Sequence, residues 1–139
     1  MDQLTPQKRS WNMSKIRSKN TKPEIFVRSL LHRRGYRFRL HRKNLPGKPD
    51  IILPKYKAVI FVHGCFWHRH DGCKYTYNPK TRMEFWKNKF AENVQRDKLV
   101  QKKLIEEGWN VLIIWECELE NLQMLEAKLE DFFITIDKG

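Results

Sequence analysis

Lys57-Ala-Val-Ile-Phe-Val-His-Gly-Cys-Phe-Trp-His-Arg-His-Asp-Gly-Cys73 runs a nearly unbroken apolar stretch into a loop crowded with histidine, cysteine and aromatic side chains. The apolar part, residues 57–62, predicts a strand covered on both faces and therefore central in a sheet. Downstream, Thr81-Arg-Met-Glu84 has the capping-box spacing, and Trp86, Phe90 and Val94 repeat at i, i+4, i+8. These predict a long helix to about residue 107, stopped by Gly108. Trp109-Asn-Val-Leu-Ile-Ile-Trp115 is a second apolar run and predicts another central strand. The three elements form a β-α-β unit, whose strands are parallel and usually neighbours. Parallel neighbours end at one sheet edge, which brings Cys117, after the second strand, to Cys65, after the first.

Upstream, Thr21-Lys-Pro-Glu24 has a cap, a proline for the first turn and a glutamate three residues on. It opens a predicted helix with Ile25, Leu30 and Leu31 on its apolar side and Gly35 at its end. Tyr36–Leu40 alternates as a half-buried strand, Leu45–Asp50 is a turn, and Ile51–Leu53 is a strand linked to residue 57 by Pro54-Lys-Tyr56. Residues 119–134 form a last helix with Leu122, Leu125, Leu129, Phe132 and Phe133 as its stripe. The expectation is one α/β domain over residues 21–139, a mixed central sheet with helices on both sides, preceded by a basic arm over residues 1–20.

Charge narrows the partner. The net charge is +12, and it is uneven. Residues 1–43 hold 13 Lys/Arg against two acids, residues 44–103 hold 13 against 5, and residues 104–139 hold 2 against 9. A polyanion fits such a surface, and nucleic acid is the commonest one. No apolar run is long enough to span a bilayer, and no basic amphipathic helix suggests a membrane surface. The N-terminus lacks a signal-peptide layout. Three cysteines without a secretory signal argue for metal binding in a reducing cytoplasm rather than for disulfides.

The loop has the ligands for that. Cys65, His70 and Cys73 have metal-ligand spacing, and thiolates with imidazole in a tetrahedral set suit Zn²⁺. Cys117 is the cysteine left to close the set, and His68 or Asp71 stands as a substitute for His70. A closed zinc site does no chemistry, which leaves Glu24, Asp50, His63 and His68. If strands 51–53 and 57–62 are antiparallel, Asp50 lies beside the end of the second strand, close to His63. One carboxylate, a backbone carbonyl and waters suffice for Mg²⁺, and histidine moves protons near neutral pH. Together they suit metal-assisted hydrolysis of a phosphodiester. Each has a plainer use: Asp50 in a turn, Glu24 in a cap, His63 as a packed strand end. Phe66 and Trp67, flanked by ligands, are awkward as core and suit an apolar wedge between base steps. Met13 on the arm can act likewise, whereas Trp86 on its helix reads as core.

These residues have a counterpart. The chain resembles the very-short-patch repair endonucleases, the Vsr family, through Asn12-Met13, Glu24, Leu45-Pro-Gly-Lys-Pro-Asp50, Val59–His68, Thr81–Trp86, Asn93–Asp97 and Gly108–Cys117. The resemblance implies a restriction-endonuclease-like fold and a Mg²⁺-dependent nick 5′ of the thymine in T:G mismatches left by 5-methylcytosine deamination. It implies that Asp50 and the backbone carbonyl of Val62 hold the catalytic Mg²⁺, that Glu24 and His63 act through metal-bound water, and that His68 is the base. Cys65, His70, Cys73 and Cys117 match structural Zn²⁺ ligands. Phe66, Trp67 and Trp86 match aromatics that enter the duplex beside the mismatch, and Met13 a residue that enters opposite. The implied partner is double-stranded DNA, met by a bacterial, nucleoid-associated monomer and followed by downstream repair proteins. A related nuclease without a mismatch requirement and a non-catalytic zinc-stabilised DNA-binding module are the rival readings.

Overall fold

The computed structural model describes residues 21–40, 42 and 44–138. The predicted basic arm and Met13 therefore lie outside the described residues. Helix α1, Lys22–Arg33, opens as its sequence predicts: the Thr21 hydroxyl accepts from the Glu24 N–H and the Glu24 carboxylate accepts from the Thr21 N–H. Its inward face differs from the expectation. Val27, Leu30 and Leu31 are buried with Glu24, while Ile25 is exposed. Glu24, Val27 and Leu31 follow i, i+3, i+7, so a carboxylate occupies a core-facing position that the apolar pattern alone passes over.

The sheet has the order β1-β2-β3-β4, with β1 Arg39–Leu40, β2 Ile51–Leu53, β3 Ala58–His63 and β4 Asn110–Trp115. The first two pairings are antiparallel and β3 pairs with β4 in parallel, from Ala58 opposite Asn110 to His63 opposite Trp115. The crossover is as the β-α-β reading requires, and β3 is central. Two expectations need correction. Strand β1 is two residues long, because the half-buried Tyr36 packs against the core, stacked 4.1 Å from Phe133 and edge-on to Tyr56. Strand β4 is an edge among the described residues, not a central strand. Its free side is partly covered: Lys128 donates to the Ile113 carbonyl and the Trp115 N–H donates to Glu118.

Alternation along β3 sorts two core layers. Ile60 and its neighbours Ile51, Leu53, Leu112 and Ile114 pack on α1 and on α4, Leu122–Lys138, through Leu125, Leu129 and Phe133. Leu122 itself is exposed, and residues 116–120 form a separate 3₁₀ turn rather than the start of that helix. On the other face Ile52, Val59 and Phe61 pack on Leu104 of the long helix α3, Met83–Glu106. The predicted capping box at Thr81 is absent: α3 begins after Arg82, whose left-handed φ of 52° excludes the extended geometry a side-chain cap requires. The period-2 rule sets His63 on the same face as Phe61 and Val59, toward α3.

Candidate active site and metal centre

One helical turn, α2 (Cys65–His68), follows β3 directly and ends at Arg69 in the left-handed region. The His70 N–H donates back to the Cys65 carbonyl, and the Thr76 hydroxyl donates to the His70 carbonyl. This fold-back gathers the four expected residues. One donor atom each from Cys65, His70, Cys73 and Cys117 lies within 4.8 Å of the others. Cys117 arrives as the topology requires, its N–H 3.4 Å from the Cys65 sulfur and its sulfur 3.4 Å from His70 Nδ1. Asp71 is exposed and His68 turns elsewhere, so His70 is the imidazole of this set.

The thiols show what the cluster suits. Burial pushes the Cys65 thiol up. Burial, then hydrogen bonding with Cys65 and Cys73, pushes Cys117 to about 12. The Tyr75 N–H holds Cys73 down. Three sulfurs in one small space cannot all ionise without a cation, and the set of three thiols and an imidazole fits Zn²⁺.

Beside it opens a cleft of about 1270 Å³ whose wall includes Glu24, Asp50, His63, His68 and Asp97. Asp50 precedes β2, and antiparallel pairing sets it against β3, where its Oδ2 accepts the Val62 N–H at 2.7 Å. Its pKa is raised to about 8, by burial first and then by a hydrogen bond with Glu24; the Val62 N–H and Arg28 pull the other way. Glu24 is 2% exposed and ion-paired with Arg28 at 3.0 Å. Glu24 thus both caps α1 and lines the cleft beside Asp50, and with the Asp50 pKa raised a divalent cation binding there would displace a proton.

His63 and His68 stack at 3.7 Å with an 8° interplanar angle. Burial, then the charge of His68, pushes the His63 pKa down to about 4. Its buried Nδ1 has no hydrogen-bond partner among the described residues. His68 Nδ1 lies 2.6 Å from Asp97 Oδ2. Although donor atoms of His63, His68 and Asp97 also lie close together, an ion must sit near the plane of each imidazole it binds. Stacked parallel rings offer no such point, so the group is a hydrogen-bonded His–Asp pair resting on a neutral ring.

The sequence reading gave Asp97 no role. The signal was available: Trp86, Phe90, Asn93, Asp97, Val100 and Leu104 lie on one stripe of α3. Asn93 and Asp97 are the polar members of that stripe, and both are used. Asn93 donates to the Trp67 carbonyl at 3.3 Å.

Phe66, Trp67 and Trp86 come together with Phe90, with Phe66 5.1 Å from Trp67 and from Phe90, and Trp67 5.7 Å from Trp86. All three are half-buried by one another, so Phe66 and Trp67 are part of a packed cluster and Trp86 is less enclosed than a core residue. Arg69 fastens the cluster: its guanidinium lies 3.9 Å over Phe90 and donates to the Phe66 and Tyr77 carbonyls and to Asn78. Trp115 joins the two sites, stacked 4.2 Å from His70 and edge-on to His63 at 5.3 Å.

The chain is similar to known proteins over most of its length. The family model described as DNA mismatch endonuclease Vsr matches residues 1–74. The chain is 52% identical over 130 residues to the type II nicking enzyme V.XorIIP of Xanthomonas oryzae pv. oryzae, covering 94% of this chain and 95% of that one. It is 45% identical over 117 residues to the DNA mismatch endonuclease Vsr of Escherichia coli K12, covering 84% and 74%. Among solved structures it resembles the catalytic domain of the homing endonuclease I-Bth0305I, with a TM-score of 0.60, 23% identity, and coverage of 84% and 98%. That likeness shows the nuclease-type α/β fold, a mixed sheet between helical layers.

Proposed function

Because the chain belongs to the Vsr family of DNA mismatch endonucleases, we propose that it nicks duplex DNA on the 5′ side of the thymine in T:G mismatches, the lesion left by 5-methylcytosine deamination. The observation that carries the chemistry is the His68–Asp97 pair sharing a cleft wall with Asp50. Asp97 accepts from Nδ1–H and so fixes the tautomer that leaves Nε2 as a proton acceptor. His68 takes the proton of the attacking water at that nitrogen. His63, kept neutral by burial, supports the ring without adding charge and orders water in the cleft.

Asp50 and the Val62 carbonyl would hold Mg²⁺, with Glu24 acting through water. When bound, the ion neutralises charge developing on the phosphate and on the leaving oxygen. Cys65, His70, Cys73 and Cys117 would hold a structural Zn²⁺ that fixes α2, and with it His68 and the aromatic rings. Phe66, Trp67 and Trp86 enter the duplex where a T:G pair stacks weakly, and Met13 enters from the other side. The work is that of a monomer in the bacterial cytoplasm on nucleoid DNA, since a lone mismatch has no two-fold symmetry. Other repair proteins then process the nick.

The test is an end-labelled duplex with one T:G pair beside its T:A twin, with Mg²⁺ or EDTA. Nicking of the T:G duplex alone, 5′ of the thymine and only with Mg²⁺, is the expected result. Equal cutting of both sinks the mismatch requirement.

A further inference from the structure

Four residues other than glycine hold a positive φ among the described residues: Lys48 at 48°, Lys57 at 46°, Arg69 at 53° and Arg82 at 52°. The left-handed region crowds any Cβ, so glycine would fit each place better. A long cation at such a place is therefore worth following along its side chain. For three of them its contact is visible. Arg69 fastens the aromatic cluster, Arg82 lies 4.5 Å over Phe85, and Lys57 lies 5.8 Å over Trp109. The exposed Lys48 makes no side-chain hydrogen bond, ion pair or ring contact among the described residues.

Its backbone is held firmly all the same. The Lys48 N–H closes a turn onto the Leu45 carbonyl at 3.1 Å. Gly47, at φ 71°, lies so close to α3 that a Cβ there would stand 2.3 Å from Val100 Cγ1. Val100 is three residues past Asp97, and Pro49 leads directly from Lys48 to Asp50. The turn thus sets Lys48 on the wall of the cleft shared by Asp50, His68 and Asp97. That wall also includes Glu24, Glu116 and Glu120, with Lys22 and Arg96 as its other cations, so a DNA strand meets carboxylates on its way to Asp50 and needs cations beside its path, of which Lys48 is the one two residues from Asp50.

We infer that Lys48 is a phosphate contact, its ammonium binding the DNA backbone at or next to the bond that is cut. The inference rests on the nuclease reading above. It makes Lys48→Gly a variant with opposite effects on folding and on function, because it removes both the strain and the ammonium.

The experiment compares wild type, Lys48→Gly and Lys48→Arg as full-length, zinc-loaded proteins. It measures Tm, kcat/KM for nicking the T:G duplex, and the salt dependence of binding to that duplex without Mg²⁺. For Lys48→Gly the expected result is an equal or higher Tm, nicking reduced about tenfold or more, and a log–log salt slope smaller by about one. Lys48→Arg should restore most of both. An unchanged salt slope in the glycine variant overturns the inference, whether or not nicking falls. If wild type fails to nick the T:G duplex, the mismatch reading fails, while the slopes still decide the role of Lys48.

Discussion

In the proposed mechanism His68 is the base, and Asp97 is the residue on which it depends. His68→Ala should lower the nicking rate by about 10²–10⁴-fold with DNA binding retained. Asp97→Asn should lower it nearly as far, because an amide no longer enforces the tautomer; single-turnover nicking beside a binding titration checks both. Asp50 predicts a pH dependence. Its pKa is raised from 3.8 to about 8, chiefly by burial. Between those values the folded chain keeps a proton that the unfolded chain has released, so this group lowers stability as pH rises across the window. Without Mg²⁺ but with zinc retained, Asp50→Asn should be more stable than wild type at pH 8, by on the order of 2 kcal/mol, and about equal to it near pH 4. Thermal unfolding at the two pH values measures this. The ion needs the deprotonated carboxylate, so apparent Mg²⁺ affinity in wild type should rise with pH up to about 8. The grouping of Cys65, His70, Cys73 and Cys117, and the nearness of Asp50, His63 and His68, were legible because these residue types are rare together in one loop and at one sheet edge. Asp97 was not, since a single acid in a charged helix stands out only once the inward stripe of α3 is drawn.

Elements were legible where one strong pattern governed them. The apolar runs gave β3 and β4, and their parallel pairing followed from the helix between them. The start of α3 was misread because Thr81 to Glu84 matches a capping box in letters, while the chain enters through a left-handed Arg82 that no side chain caps. Strand β1 was overextended because Tyr36 and Phe38 are held by aromatic packing on the α4 layer rather than by ladder hydrogen bonds. The turn before Asp50 supplies a prediction at this scale. Gly47→Ala puts a methyl 2.3 Å from Val100 Cγ1 at a φ of +71°. It should cost about 1–3 kcal/mol in stability and displace the Asp50 end of the cleft. Denaturant unfolding should show part of the loss recovered in Gly47→Ala with Val100→Ala, since the second change removes the two Cγ contacts but leaves the Val100 Cβ at 3.2 Å and the backbone strain.

Across the whole molecule, metal and fold are expected to stand together. The four donors come from the loop after β3 and from the end of β4, which is an edge strand with its free side only partly covered. Stripping the metal with a strong chelator, or Cys117→Ser, should lower Tm and abolish nicking. One Zn²⁺ per chain should be counted in the wild-type protein, and its loss should track the loss of activity. The charge distribution was plain in the sequence, but the gathering of Glu24, Asp50, Asp97, Glu116 and Glu120 on one cleft wall of a basic protein was not, since these residues are spread along the chain.

The parallel register of β3 and β4 sets His63 opposite Trp115, with Cys65 and Cys117 each two residues further on. This has a genetic consequence. Loss of a single codon within 58–62, although in frame, would turn each side chain on one flank of the gap to the opposite face of the sheet. The histidine stack and the first sulfur ligand could not both keep their places. Insertions and deletions at these codons should therefore act as null alleles, whereas codons 80–81, ahead of α3 in an exposed stretch without regular structure, have room to lengthen without disturbing either centre.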